Sequence, residues 1–333
     1  CQGYSLPSCG IAIHRNIRHY SITSANHPCS GAIVALLEQV QQRIEQAIHE
    51  AQLPDDFIDQ VIQFYLPLAE LIDGWSKRQN EPLLLSLQGP QGAGKSTLCH
   101  FLQLILEQQF NHTLAVLSLD DFYLTQAQRR DLAETIHPLL QTRGVPGTHD
   151  LPLALKTLES LQQGKTVALP RFNKAEDEPF ARAQWPMSAP NVSIILFEGW
   201  CNHAPVADAE ALKEPQNELE RNEDPDVVWR TYVNDQLKHY HEHLFSRCDA
   251  LICLRIPTFD LVYEWRGLQE QKLKQASKSG QGIMDEQAIR RFIDHFERIS
   301  RRTMAALPDI ADATLWLNEQ HQLVNLTHKT GVG

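Results

Sequence analysis

One glycine-rich segment constrains the fold more than any other part of the sequence. GPQGAGKST, from Gly89 to Thr97, has the spacing G-x-x-x-x-G-K-[ST], follows the apolar run LLLSL and precedes a segment with helical apolar periodicity. Glycines let a backbone curl around a phosphate, and successive N–H groups at a helix N-terminus offer partial positive charge to its oxygens. The segment therefore predicts a phosphate-binding loop between a strand and a helix.

The motif also predicts roles for the side chains of this loop. Lys95 should reach the β- and γ-phosphates of a nucleotide, and Ser96 should hold Mg²⁺. The residues predicted to bind the nucleotide are Gly89, Pro90, Gln91, Gly92, Ala93, Gly94, Lys95, Ser96 and Thr97. The loop alone does not separate kinases from GTPases, ATPases or nucleotide-driven motors.

Short apolar runs alternate with amphipathic segments after Pro82. The runs are LLLSL from Leu83, LAVLSL from Leu114, VALP from Val167, VSIILFE from Val192, ALICLRI from Ala250 and ATLWL from Ala313. Buried strands separated by helices indicate a parallel sheet with helices on both faces. We therefore predict a three-layer α/β fold of the P-loop NTPase type, with a mainly parallel sheet.

The N-terminal part of the chain has a different character. Residues 1–30 contain Arg15 and Arg18 but no acidic residue, which fits an organellar transit peptide or a disordered leader, and we favour the leader. Residues 31–80 have helical apolar spacing and predict a helical appendage on the main domain, residues 81–330.

Composition limits the partners of this chain. It has 333 residues, 42% of them hydrophobic, and a formal net charge of −11. Because nucleic acids and anionic membranes attract basic surfaces, we expect neither as a partner and predict a small-molecule substrate. The cysteines form no CxxC pair, which favours free thiols and a cytoplasmic location, with an organelle as the alternative if the leader is a transit peptide. The oligomeric state is left open.

Acidic residues follow two of the predicted strands. SLDDFY carries Asp120 and Asp121, and LFEGW carries Glu198. Ligands of open parallel sheets bind beyond the carboxyl ends of the strands, and phosphoryl transfer to a hydroxyl needs one carboxylate near its proton and another near the metal ion. We assign the base to Asp120 and the Mg²⁺ side to Glu198, with Asp121 as the alternate for either; a helix-capping Asp pair and a solvated Glu198 are the competing interpretations.

Five motifs in order carry a family resemblance. GPQGAGKST, SLDDFYLT, RGVPGTHD, FEGWC and PQNELERNEDPD resemble those of the P-loop glycerate kinases, within the phosphoribulokinase and uridine kinase superfamily. The resemblance runs from about Tyr65 to Leu317 and includes YEWRGLQEQKL from Tyr263. It implies ATP with Mg²⁺ as donor, D-glycerate phosphorylated at its 3-hydroxyl, Asp120 as base and Glu198 in an EG pair.

Two alternatives remain open at this point. A kinase of the same superfamily could act on a nucleoside, pantothenate or a sugar phosphate. A nucleotide-dependent switch or assembly factor is the other alternative, although the sequence has no N-K-x-D motif of the kind that reads guanine.

Basic and polar side chains supply candidates for binding the acceptor. A carboxylate suits a guanidinium or ammonium group, and surface salt bridges are the competing interpretation for each basic residue. The predicted substrate-binding residues are Arg143, His149, Asp150, Arg171, Lys174 and Arg230.

A basic segment near the C-terminal side predicts a lid over residues 263–283. Its cationic residues are Arg266, Lys272 and Lys274, and SKSGQG follows them. An exposed basic helix is the alternative. His239 and His243 of HYHEH could share a metal ion, but we favour an ordinary amphipathic helix there.

Overall fold

The apolar runs form the central sheet of the computed structural model, which describes residues 30–276 and 286–329. The sheet has six strands in the order β2-β5-β1-β6-β7-β8, and a separate ribbon pairs β3 with β4. The strands are β1 (Leu83–Gln88), β2 (Leu114–Ser118), β3 (Phe172–Asn173), β4 (Glu178–Pro179), β5 (Ile194–Gly199), β6 (Ala250–Arg255), β7 (Ala313–Leu317) and β8 (Leu323–His328).

Helices cover both faces of this sheet. They are α1 (Ser30–Glu50), α2 (Phe57–Gln60), α3 (Leu66–Ser76), α4 (Lys95–Gln109), α5 (Gln126–Thr135), α6 (Leu151–Gln162), α7 (Glu218–Glu223), α8 (Val228–His243), α9 (Asp260–Ala276) and α10 (Glu286–Ile310). None within the described ranges is long and apolar enough to cross a membrane.

Alternation along the strands builds two apolar layers. In β5, Ile194 and Leu196 face the layer that contains α4, whereas Ile195 and Phe197 face the layer that contains α6 and α8. All six residues of β5 are buried, as expected of a strand with helices on both sides. The predicted three-layer α/β fold with a mainly parallel sheet is confirmed.

Pairing is parallel among the five strands from β2 to β7 and antiparallel only between β7 and β8 in the described sheet. Glu198 of β5 lies opposite Leu87 of β1 and Ser118 of β2. The carboxyl ends of these three strands therefore meet at one edge of the sheet.

Two details of the strand prediction are corrected. VALP does not join the sheet: Ala168 makes only an isolated bridge to Met187, and Pro170 supplies no N–H for a ladder. The last strand, β8, was not predicted, because its residues are mostly exposed and show no buried apolar run.

The N-terminal helices pack into the main core. Val40 of α1 and Ile72 of α3 belong to the same apolar cluster as Leu98 of α4 and Leu85 of β1. A π-helical turn, Val61–Tyr65, runs directly into α3, and Pro67, which has no N–H to donate, stands in the first turn of α3 next to this irregular hydrogen bonding. The domain limits at residues 30 and 80 stay predictions, and residues 1–29 lie outside the described ranges.

Gly144 provides a test of the packing next to the site. Its φ is +130°, and an added Cβ would overlap the ring of Phe296 in α10. We expect Gly144→Ala to lower the free energy of unfolding by about 1–3 kcal/mol, because strain and overpacking act together. Urea denaturation followed by circular dichroism measures the change.

The matched control is Gly74→Ala in α3, where nothing lies within 4 Å of the added Cβ. There the free energy of unfolding should rise by about 0.5–1 kcal/mol, since alanine favours helix. Equal effects of the two substitutions would contradict the packing described for Gly144.

Candidate active site

The phosphate loop joins β1 to α4 as the motif predicts. Gly94 caps α4 with a φ of 89°, which a side chain would strain, and the helix starts at Lys95. The Lys95 Nζ donates a hydrogen bond of 3.2 Å to the carbonyl of Pro90. His321 Nε2 donates to the carbonyl of Gly92 at 2.7 Å, so the segment after β7 also supports the loop.

Glu198 stands beside the start of α4. The Ser96 hydroxyl donates to Glu198 Oε1 over 3.3 Å, and Glu198 is only 7% exposed. Gln91 adds a buried Oε1 without a hydrogen-bond partner among the described residues. Hydroxyl and carboxylate oxygens are the ligands that Mg²⁺ prefers, so this donor set fits a magnesium ion.

Asp120 follows β2 and is held from both sides. Tyr123 Oη donates to its Oδ1 at 2.6 Å, and Lys174 Nζ donates to its Oδ2 at 2.7 Å. Burial raises the pKa of Asp120, but Lys174, the Tyr123 hydrogen bond and the charge of Lys95 outweigh it and bring the pKa to about 2. The carboxylate therefore stays ionised at neutral pH, and the positive charge of Lys95 in the phosphate loop helps to stabilise it.

Asp121 faces the β3–β4 ribbon instead. It accepts hydrogen bonds from the backbone N–H of Phe172 at 3.1 Å and from Arg171 Nη1 at 3.3 Å. Burial raises its pKa to about 6, although Arg171 acts in the opposite direction. Asp121 thus anchors the segment that carries Lys174, and this favours Asp120 over Asp121 as the base.

The remaining basic side chains come from the same region. Arg143 forms an ion pair with Asp177, and its guanidinium lies 5.5 Å from the centre of the Phe172 ring. Arg129, which the sequence analysis did not select, is 2% exposed and donates to Asp177 Oδ2 at 2.7 Å. Lys174 and Arg171 thus pair with the two aspartates that follow β2, and Arg143 lies beside the same ribbon against Phe172.

Comparisons with known proteins decide the family. No model of a known protein family matches the chain. It is 30% identical over 249 residues to the uncharacterized kinase mug58 of Schizosaccharomyces pombe, covering 72% of this chain and 84% of that protein. A relative from Arabidopsis thaliana and a solved structure from Cryptococcus neoformans var. grubii are both named D-glycerate 3-kinase. This chain belongs to the P-loop D-glycerate 3-kinase family. It is a phosphotransferase with an alcohol group as acceptor.

The two relatives named D-glycerate 3-kinase match different shares of the chain. The chloroplastic D-glycerate 3-kinase of Arabidopsis thaliana is 30% identical over 225 residues, which cover 65% of this chain but 46% of that protein. The solved D-glycerate 3-kinase of Cryptococcus neoformans var. grubii superposes with a TM-score of 0.65 at 25% identity, covering 80% of this chain and 99% of that one.

Arg230 is corrected as a substrate-binding residue of this glycerate kinase family member. It is 3% exposed, and its guanidinium donates to the carbonyls of Leu212 at 2.6 Å and Lys213 at 3.1 Å and to Asp224 Oδ2 at 3.3 Å. With its donors occupied in the interior, it has a structural role.

Asp150 also differs from its prediction. Its Oδ1 accepts a hydrogen bond of 2.9 Å from the backbone N–H of Leu153, so it caps α6. Its neighbour His149 is 5% exposed and remains a candidate for binding the acceptor substrate.

The lid is only partly described. Arg266 of α9 lies with its guanidinium 5.9 Å from the centre of the Phe292 ring. The side chains of Lys272 and Lys274, and residues 277–285, lie outside the described part of the chain, so the lid stays a prediction. His239, Glu242 and His243 are exposed on α8 with ligand atoms within 4.8 Å of one another.

Two tyrosines at the site were missed in the sequence. Tyr123 was quoted as part of SLDDFY without a role, although its position three residues after Asp120 was a usable signal. Tyr240 of α8, whose hydroxyl lies 3.0 Å from His149 Nδ1, had no local signal. Its partner is distant in sequence, so only the fold brings the two together.

Stability should depend on pH through the buried histidines. Burial lowers the pKa of His149 and of His295 to about 4. An unfolded chain takes up these protons near pH ~6.5, so between about pH 6.5 and 4 it binds more protons than the folded chain. As the pH is lowered through this range, the free energy of unfolding should therefore decrease by about 1.4 kcal/mol per pH unit for each histidine.

Urea unfolding of wild type and His149→Gln over this pH range measures the effect. The profile of the variant should be shallower by about one proton below pH ~6.5 and parallel to wild type above pH ~7. Identical slopes throughout would mean that folded His149 takes up its proton as readily as the unfolded residue.

Proposed function

We propose that this chain transfers the γ-phosphoryl group of ATP to the 3-hydroxyl of D-glycerate, producing 3-phosphoglycerate and ADP. The observation that carries the proposal is the position of Asp120, which pairs with Lys174 and is acted on by the charge of Lys95 of the phosphate loop, while Arg171 pairs with the adjacent Asp121. A small anionic alcohol is the acceptor that such surroundings favour. The printed names of the relatives from A. thaliana and C. neoformans support glycerate as that alcohol.

On the donor side, Lys95 and the N-terminus of α4 would bind the phosphates of ATP. Ser96 and Glu198 would hold Mg²⁺. The bound ion would neutralise charge on the β- and γ-phosphates.

On the acceptor side, Asp120 orients the reacting hydroxyl. That hydroxyl oxygen bonds to the γ-phosphorus as the bond to the β,γ-bridging oxygen breaks, and its proton passes to Asp120 and then to solvent. A carboxylate with a pKa of about 2 is a weak base, which suits a loose transition state in which the proton leaves late. Its main contribution is orientation.

The cationic residues recognise the carboxylate of the acceptor. Arg143 pairs with Asp177, and Arg171 pairs with Asp121. Each guanidinium has five N–H groups, so donors remain for the acceptor carboxylate. Lys174 is the most exposed of the set, with 61% of its side chain accessible to solvent. It can turn from Asp120 to the acceptor carboxylate or to the transferred phosphoryl group.

An acceptor panel tests the function. D-glycerate, L-glycerate, pantothenate, uridine and ribulose 5-phosphate are each supplied with ATP and Mg²⁺, and ADP release is followed by a coupled assay. We expect acceptor-dependent ADP release with D-glycerate, and ³¹P NMR should identify a product phosphorylated on the 3-hydroxyl.

Turnover of another alcohol without turnover of glycerate would overturn the acceptor and leave the kinase. Slow hydrolysis that no acceptor changes would favour a nucleotide-dependent switch.

Asp120→Asn tests the base. Its kcat should fall by about 10²–10⁴-fold, because the amide cannot take the proton of the acceptor hydroxyl. The dissociation constant for ATP, measured by isothermal titration calorimetry, should stay close to wild type.

Asp131→Asn in α5 removes an exposed carboxylate and is the matched control, with both quantities expected to remain as in wild type. Loss of ATP affinity in Asp120→Asn as large as the loss of kcat would assign Asp120 to nucleotide or metal binding.

A further inference from the structure

His149 lies beside the base because two loop segments pair. The backbone N–H of Leu124 donates to the carbonyl of Thr148 at 2.9 Å, and that of Asp150 donates to the carbonyl of Phe122 at 2.7 Å. This pairing sets His149 opposite Tyr123, and their rings stack with centroids 4.7 Å apart. Because the Tyr123 hydroxyl bonds to Asp120, His149 belongs to the acceptor side of the site.

The ring nitrogens of His149 have different surroundings. Nδ1 is 3.0 Å from the hydroxyl of Tyr240, a residue that is 1% exposed. Nε2 is buried and has no hydrogen-bond partner in the part of the chain that the structure describes. Bulk water cannot compensate either group, so the position of the imidazole proton matters.

The hydroxyl of Tyr240 decides that position. It accepts a hydrogen bond of 3.0 Å from the backbone N–H of Gly147, which can only donate. If Tyr240 also donates its own proton to His149 Nδ1, then the Gly147 N–H, the Tyr240 hydroxyl and His149 Nδ1 are all hydrogen-bonded. Only the N–H at His149 Nε2 is then left without a partner among the described residues. If His149 Nδ1 donates instead, the Tyr240 proton and the Nε2 lone pair both lack partners among the described residues.

The first arrangement is favoured by one buried hydrogen bond. An unsatisfied buried polar group costs about 1–3 kcal/mol, which corresponds to a preference of roughly 5- to 150-fold. Burial raises the pKa of the Tyr240 hydroxyl, so it keeps its proton, and burial lowers that of His149 to about 4, so the imidazole is neutral.

We propose that Tyr240 is a positioning residue that holds His149 in the Nε2–H tautomer, and that this Nε2–H donates a hydrogen bond to an oxygen of the acceptor substrate. This inference rests on the proposed kinase function for its substrate half. A neutral donor selects a hydroxyl or carboxylate oxygen with a free lone pair at this point and gives nothing to an ammonium group or an alkyl carbon.

Nitrogen NMR tests the tautomer without any substrate. In uniformly ¹⁵N-labelled wild type near neutral pH, the His149 signals are assigned by their loss in His149→Gln. We expect Nδ1 in the pyridine-type range and Nε2 in the pyrrole-type range. The reverse pattern in wild type would overturn the proposal, whatever the enzyme phosphorylates.

Kinetics tests the contact with the acceptor. Using the alcohol that the acceptor panel identifies, Tyr240→Phe should raise its KM about tenfold, because the His149 tautomer is no longer fixed. The KM for ATP should remain unchanged and kcat should stay within about threefold. A purely structural role of Tyr240 would lower stability and leave the KM for the acceptor unchanged.

Two variants of His149 keep the test decisive if Tyr240→Phe folds poorly. Glutamine retains an N–H donor near the position of Nε2, whereas leucine has none. The KM for the acceptor should rise about 10- to 100-fold in His149→Leu and clearly less in His149→Gln. Equal KM values in wild type and His149→Leu would show that this N–H does not touch the acceptor, even if the NMR result holds.

Discussion

The parallel pairing of β1 and β2 with β5 is the constraint on which the site depends. Glu198 lies opposite Leu87 of β1 and Ser118 of β2. The phosphate loop begins two residues after Leu87, and Asp120 comes two residues after Ser118, so both lie close to Glu198. A slip of one residue would turn Glu198 to the opposite face, and the two apolar layers prevent this because each strand fills both. The burial of leucine and isoleucine therefore sets the distance between Ser96 and Glu198.

A second level of support acts through buried charge. Arg298 donates to both carboxylate oxygens of Glu220, at 2.7 and 2.6 Å. Arg230 donates hydrogen bonds to Asp224 and to nearby backbone carbonyls. Buried ions are costly to desolvate, and the cost is offset only where their donors and acceptors are paired, as they are here. Asp224 in turn accepts from the backbone N–H of Trp229 at 2.8 Å and fixes the start of α8.

This network reaches the acceptor site through geometry. The helix that Asp224 anchors carries Tyr240, whose hydroxyl contacts both Gly147 and His149. The acidic run before α8 thus has an effect on the site without any contact with a substrate. It gives a structural role to Glu220 and Asp224, the two buried acidic residues of a motif whose other residues are mostly exposed.

Local patterns predicted the fold and the position of the candidate site beyond the carboxyl ends of the strands. The phosphate loop, the buried strands and the carboxylates at strand ends are short-range features, so Lys95, Asp120 and Glu198 could be selected from the sequence. Arg230 could not be placed, because nothing in VVWR distinguishes a buried arginine from one that faces a ligand. The roles of Tyr240 and His321 depend on partners far along the chain, and β8 has the exposed composition of an edge strand.

The charges of the acceptor side explain how an acidic chain could bind the proposed anionic substrate. Its cations are already paired: Lys174 with Asp120, Arg171 with Asp121 and Arg143 with Asp177. Binding an anion therefore exchanges one partner for another, and the net gain is the small difference between two sets of ion pairs. A neutral alcohol gains nothing from this exchange, because its hydroxyls compete poorly with a carboxylate for a guanidinium. The proposed selectivity for an anionic acceptor and a modest affinity for it would then have the same origin, the pairing of Lys174, Arg171 and Arg143 before the substrate arrives.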